Sequence, residues 1–199
     1  MSKITILATF IATLTLPIQL AVGLGAALSA ILHLSRLSTD IVLVELVPLP
    51  DGRVEERPPP ERLPSNAVTV LGVYGSLFYA GAWTLARMLP SPSGATDPVV
   101  ILRLRGHRKL GATIIDVLDT YSDQLAAVGG RLYLSGVDEG ARDLLRRTGK
   151  VELSDTVKVD LATTVVGESS RRAYDDATAW LVERHSVAKP NASAERDNT

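Results

Sequence analysis

The sequence contains no cysteine. Disulfide scaffolds, thiol nucleophiles and cysteine-based zinc sites are therefore excluded. Its three histidines, His33, His107 and His185, lie far apart and carry no metal-ligand spacing such as H-E-x-x-H. Nor is there an excess of either charge: 21 Lys and Arg face 22 Asp and Glu, for a net charge of -1. That gives no basic footprint for a nucleic-acid partner. No G-x-S-x-G nucleophile elbow occurs. Asp175-Asp176 is an acidic pair on a helical segment, but adjacent helical residues do not share a face. The chain is read as a non-enzyme that needs no cofactor and no metal.

Charge is missing altogether from Ile4 to Leu32. As one helix this run would extend about 43 Å at 1.5 Å per residue, beyond the roughly 30 Å hydrocarbon core of a bilayer. Pro17, near its middle, removes a helical hydrogen bond and biases Leu16 away from helical geometry. The run is thus either one kinked, tilted span or two short helices meeting at Leu16–Pro17, and the hairpin is preferred. Thr5, Thr9 and Thr13 share one face, as do Ala21, Gly25 and Ser29. Small residues at this spacing let helices approach closely in lipid. Lys3 before the run, and His33 and Arg36 after it, fit a hairpin with both ends cytoplasmic. A cleaved leader ending at Leu28-Ser29-Ala30 is the other reading, but its apolar core would be about half as long.

Residues 1–36 are accordingly read as transmembrane and 37–66 as a connector. Within the connector, Ile41–Leu49 reads as a strand, Asp51-Gly52 as a hairpin turn and Arg53–Arg57 as the returning strand. Pro58-Pro59-Pro60 imposes a stiff extended path. A domain at 67–185 alternates strands and helices, which argues for an α/β fold. Its strands are expected at Val68–Tyr74, Pro98–Leu104, Arg131–Leu134 and Val157–Leu161. Its helices are expected at Ala80–Leu89, from Ile114 to Val128, at Asp138–Thr148 and at Ser169–Arg184. The tail 186–199 has few large apolar residues and is expected to be disordered.

The turn after the strongest strand reads Arg103-Leu104-Arg105-Gly106-His107-Arg108-Lys109-Leu110-Gly111-Ala112-Thr113. Strand, loop and helix start in that order suit an anion. It is not a Walker A loop, because Ala112 stands where that motif needs lysine. The loop is still basic, and Arg103 and Arg105 alternate with Leu104, so they share a strand face. The candidate anion- or partner-binding residues are Arg103, Arg105, His107, Arg108, Lys109, Gly111 and Thr113. Their other reading is a solvated basic edge.

The order of parts resembles the C-terminal end of SulP-family inorganic anion transporters. "ITILATFIATLTLPIQLAVGLGAALSAILHLSRLS" is similar to that family's last two membrane helices, and "VELVPLPDGRVEERP" to its connector. "VTVLGVYGSLFYAGAWTL", "PVVILRLRGHRKLGATIIDVL" and "GGRLYLSGV" are similar to its STAS domain. The resemblance implies a STAS-like mixed sheet packed by helices and preceded by membrane helices. It implies the regulatory and assembly end of a sulfate- or bicarbonate-type transporter, at the plasma membrane with the STAS domain cytoplasmic. The implied partners are the transporter's other membrane helices, as a dimer, and an acidic protein or anion at the basic loop. The transporters' anion site lies upstream of these segments. In STAS proteins that antagonise anti-sigma factors, an Asp-Ser-Ser-Gly loop carries a phosphorylated serine. The matching stretch here is Gly111-Ala112-Thr113-Ile114, in which Thr113 alone keeps a hydroxyl. Helix capping or first-turn bonding is its other role. A stand-alone, membrane-tethered STAS signalling protein is the alternative to the transporter end.

Overall fold

The computed structural model describes Leu7, Phe10 and residues 17–37, 41–77, 80–107, 110–149 and 156–187. The chain divides into two compact units, Met1–Asp40 and Ile41–Thr199. In the first, helix α1 spans Ile18–Leu37. Pro17 is not helical, and its carbonyl accepts the Leu20 N–H at 2.9 Å. The helix thus begins where proline's missing donor costs nothing. Leu20, Val22, Leu24 and Ile31 are exposed. Among the described residues, no helix is long and apolar enough to cross a membrane. Most of the front half of the apolar run, including Thr5, Thr9 and Thr13, lies outside the described residues.

The second unit is a six-stranded mixed sheet. Its strands are β1 (Val42–Pro48), β2 (Val54–Arg57), β3 (Val68–Tyr74), β4 (Val99–Arg103), β5 (Arg131–Val137) and β6 (Val157–Leu161). Their order across the sheet is β2-β1-β3-β4-β5-β6. Strand β1 runs antiparallel to β2 and β3, whereas β3 to β6 are mutually parallel. The helices are α2 (Ala80–Met88), α3 (Ala112–Ala126), α4 (Glu139–Thr148) and α5 (Glu168–Val187). The segment read as a connector therefore supplies two strands of the sheet. Asp51 shapes their turn by accepting the Arg53 N–H at 3.0 Å, with Gly52 at φ 83°. The proline-rich path is also tied down, since Leu63 is buried and its N–H reaches the Ser91 carbonyl at 3.0 Å.

Each parallel crossover moves one strand further in the same direction. The right-handed rule then sends α2, α3 and α4 to one face. Val100, Leu102 and Leu104 of the β4 segment point there, into a core with Leu85, Ile114, Leu118 and Leu145. Val99 and Ile101 point to the other face, against Ala173, Ala177 and Leu181 of α5. Helix α4 shows how local signals set its ends. Asp138 accepts the Gly140 N–H at 3.0 Å, and Gly149 stops the helix in the left-handed region at φ 61°.

Tyr121 of α3 is buried, and its hydroxyl donates to the Pro90 carbonyl just beyond α2 at 2.8 Å. Burial pushes the pKa of this phenol up. Tyr121→Phe leaves that carbonyl without its partner and is expected to cost about 1 kcal/mol. Urea unfolding checks this, and an unchanged midpoint would show the bond to be dispensable.

Candidate functional site

The basic residues are placed by the end of β4 and the turn after it. Parallel pairing sets Gly72 of β3 against Arg103. Beyond the strand, the Leu104 N–H still reaches the Ser135 carbonyl at 2.8 Å. A turn from Leu104 to His107 follows, closed by the His107 N–H on the Leu104 carbonyl at 3.1 Å, with Gly106 at φ 97°. Glycine at the third position is what a type II turn requires. The His107 ring Nε2 sits 3.3 Å from the Val73 carbonyl, an acceptor, so it donates there and ties the turn to β3. A side chain at position 136 would crowd this turn. A Cβ on Gly136 (φ 71°) would stand 3.0 Å from the Arg105 Cβ.

Arg103 and Arg105 come together on the α5 side of the sheet. With Gly72, Val73 and Tyr74 they line a pocket of about 120 Å3. The Arg105 side chain also reaches the Val165 carbonyl in the loop before α5, at a long 3.4 Å. At the pocket rim, the Tyr74 hydroxyl donates to Glu56 of β2 at 2.6 Å. That bond to Glu56 raises the tyrosine's pKa most, burial adds to it, and the Arg103 charge opposes it.

Gly111 and Thr113 lie elsewhere. Gly111 occupies the N-cap of α3 and makes no side-chain capping bond. Thr113 falls inside the first turn of the helix, so it is not the cap itself. It lines a second groove of about 210 Å3 between α2 and α3, with Trp83, Asp116, Tyr121 and Gln124. This groove shares no residue with the arginine pocket. Arg108 and Lys109 lie outside the described residues. Tyr74, Gly72 and the exposed Trp83 were not singled out from sequence. A tyrosine ending a strand beside a glycine was the available signal for the first two.

The acidic pair on α5 splits as helical geometry requires. Asp175 is exposed, whereas Asp176 accepts from Lys158 Nζ at 2.7 Å and from the Tyr133 hydroxyl at 2.8 Å. The Lys158 bond chiefly holds the Asp176 carboxyl below its usual pKa, against some desolvation and with help from Tyr133. Burial, then the bond to Asp176, pushes the Tyr133 phenol up to about 12. A depressed carboxylate adds stability above its unfolded pKa of about 3.9, and that stability is lost as pH falls through the folded value. Asp176 is largely exposed, so the amount is small. Asp176→Asn is expected to cost under about 1 kcal/mol at pH 7. The deficit should fade in urea unfolding as the pH drops below about 4, and a pH-independent gap would contradict this account. Among the described residues, no group of three or more His, Asp or Glu could hold a metal ion.

No family model and no curated protein matches the sequence. Solved structures do share the fold. The chain superposes on the murine Solute Carrier 26 family member A9 (Slc26a9) anion transporter in the inward-facing state with a TM-score of 0.61 and 14% identity. That match covers 88% of this chain and 28% of the transporter chain. A structure of SLC26A9 gives a TM-score of 0.57 at 12% identity, over 92% of this chain and 31% of that one. The chain thus spans less than a third of the length of these proteins.

Proposed function

We propose that the chain is the C-terminal portion of a SulP-type secondary inorganic anion transporter. Its 41–187 unit acts as a STAS-type module for regulation, assembly and protein contact, with no catalysis of its own. The observation that carries this is the superposition on an anion transporter over 88% of the chain. Residues 41–199 are 159 of the 199, a smaller share than that. The likeness therefore reaches into the apolar first unit. That favours reading Ile4–Leu32 as membrane segments at the plasma membrane, with the sheet domain on the cytoplasmic side. The anion-selecting site belongs to the upstream membrane domain, so transport requires partner helices.

Alkaline carbonate washing of membranes from cells making the full chain tests this. Retention in the pellet, with cross-linking to other polytopic membrane protein, is the expected result. Release into the supernatant overturns it. Retention with cross-linking to a soluble anti-sigma-type kinase in place of membrane protein also overturns it, in favour of a tethered signalling protein.

A further inference from the structure

We infer that Arg103 and Arg105 hold a small divalent oxyanion, a sulfate or phosphoryl group, against the sheet face beside Tyr74. The inference stands on the sheet domain alone and survives if the transporter reading fails.

Both side chains are half-buried and line the same pocket. Neither forms an ion pair within 4.0 Å among the described residues. Other described arginines are provided for differently. Arg57 is paired with Glu55 and Arg184 with Asp97, while Arg131 lies 4.3 Å from the centre of the Trp180 ring. The one hydrogen bond of Arg105, at 3.4 Å, lies beyond the usual range. Guanidinium groups cannot shed their protons, so two of them on one wall repel. A shared anion turns that repulsion into attraction.

Charge and size then narrow the ligand. Tyr74 has committed its hydroxyl proton to Glu56. The donors left are the guanidinium N–H groups, which suit the several acceptor oxygens of a sulfate or phosphate. At about 120 Å3 the pocket is small. Sites for larger organic ligands run to about 300 Å3 or more. Gly72 supplies a floor without a side chain. A Cβ there would stand 3.3 Å from Leu46 and Val44 side-chain atoms, so a larger residue would need those side chains to give by a few tenths of an ångström.

Calorimetric titration of the full chain, in an uncharged detergent at constant ionic strength, tests the inference. The probes are sodium sulfate, sodium phosphate and dibutyryl phosphatidic acid, with chloride as control. One site with a Kd on the order of 1 mM or tighter is expected for at least one oxyanion. Arg103→Gln or Arg105→Gln should each weaken it at least about tenfold. Exposed Arg53→Gln should leave it unchanged. Binding of the phosphatidic acid analogue alone supports the oxyanion site and assigns its source to lipid. Equal heats with chloride, no saturable site, or binding that survives both arginine variants in folded protein overturns the inference. Two single variants are used so that one failing to fold leaves the other informative.

Discussion

Leu102→Ala should destabilise the sheet domain by about 3 kcal/mol, within the roughly 2–5 kcal/mol span of buried leucine truncations. Leu102 sits in β4, with three strands on one side and two on the other. Parallel pairing aligns it with Leu71 on β3 and Leu134 on β5, and all three are fully buried. They form one row beneath α2, α3 and α4. Removing the middle member opens a cavity that neighbours on fixed strands cannot close. Val54→Ala on the edge strand is the contrast. Val54 is 59% exposed, so its truncation should change stability by no more than about 0.5 kcal/mol. Guanidinium unfolding of both variants measures the gap. A loss under 1 kcal/mol for Leu102 would mean that this row is not the centre of the folded core.

Much of this architecture was visible in the sequence because its signals are local. Val68–Tyr74 and Val157–Leu161 have the strand boundaries that their apolar runs suggest. Asp138 and Gly149 bracket α4 by capping chemistry alone. What local signals miss is pairing at a distance. Strand β1 looked like part of a connector because nothing in Val42–Pro48 announces that it lies beside β3. Strand β5 runs to Val137, beyond the expected end at Leu134. Gly136 at φ 71° accommodates an irregularity that shifts the pairing and does not end it.

The candidate site divides along the same line. Alternation about Leu104 places Arg103 and Arg105 together, and that period of two is local. Strand register brings Gly72 and Tyr74 to them, and register across a parallel crossover is not written in either segment. Helix α3 packs on the opposite face. Thr113 thereby moves to the α2–α3 groove beside Trp83, only ten positions from Arg103 in sequence. Contiguity along the chain suggested a single basic loop, whereas the sheet separates its two ends.

Gly130→Ala is expected to cost about 3 kcal/mol, the upper end of overpacking penalties. The sequence marks Gly129-Gly130 as a helix stop, and the Gly130 N–H does reach back to the Leu125 carbonyl at 2.8 Å. Close approach imposes the stricter demand. A Cβ at 130 would stand 2.4 Å from the Pro98 carbonyl oxygen and 3.0 Å from the proline ring. That carbonyl cannot retreat freely, because it accepts the Arg131 N–H at 3.0 Å where β4 and β5 begin. The Asp97 N–H is bonded to Val128 at 3.0 Å, and the Asp97 carboxylate receives Arg184 of α5 at 2.8 Å. Arg131 and Arg184 lie 4.3 Å and 5.3 Å from the Trp180 ring centre, so this end of the sheet is clamped to α5. Gly94→Ala separates the contributions. Gly94 has φ 83° but open space around it, so only backbone strain applies, at about 1 kcal/mol. Gly129→Ala meets both demands, with φ 77° and Asp97 Oδ1 at 2.4 Å, and should cost at least as much as Gly130→Ala. Urea midpoints for the three variants test the order. If Gly130→Ala costs no more than Gly94→Ala, then β4 and β5 can part at this end, and the clamp through Asp97, Arg184 and Trp180 is not rigid.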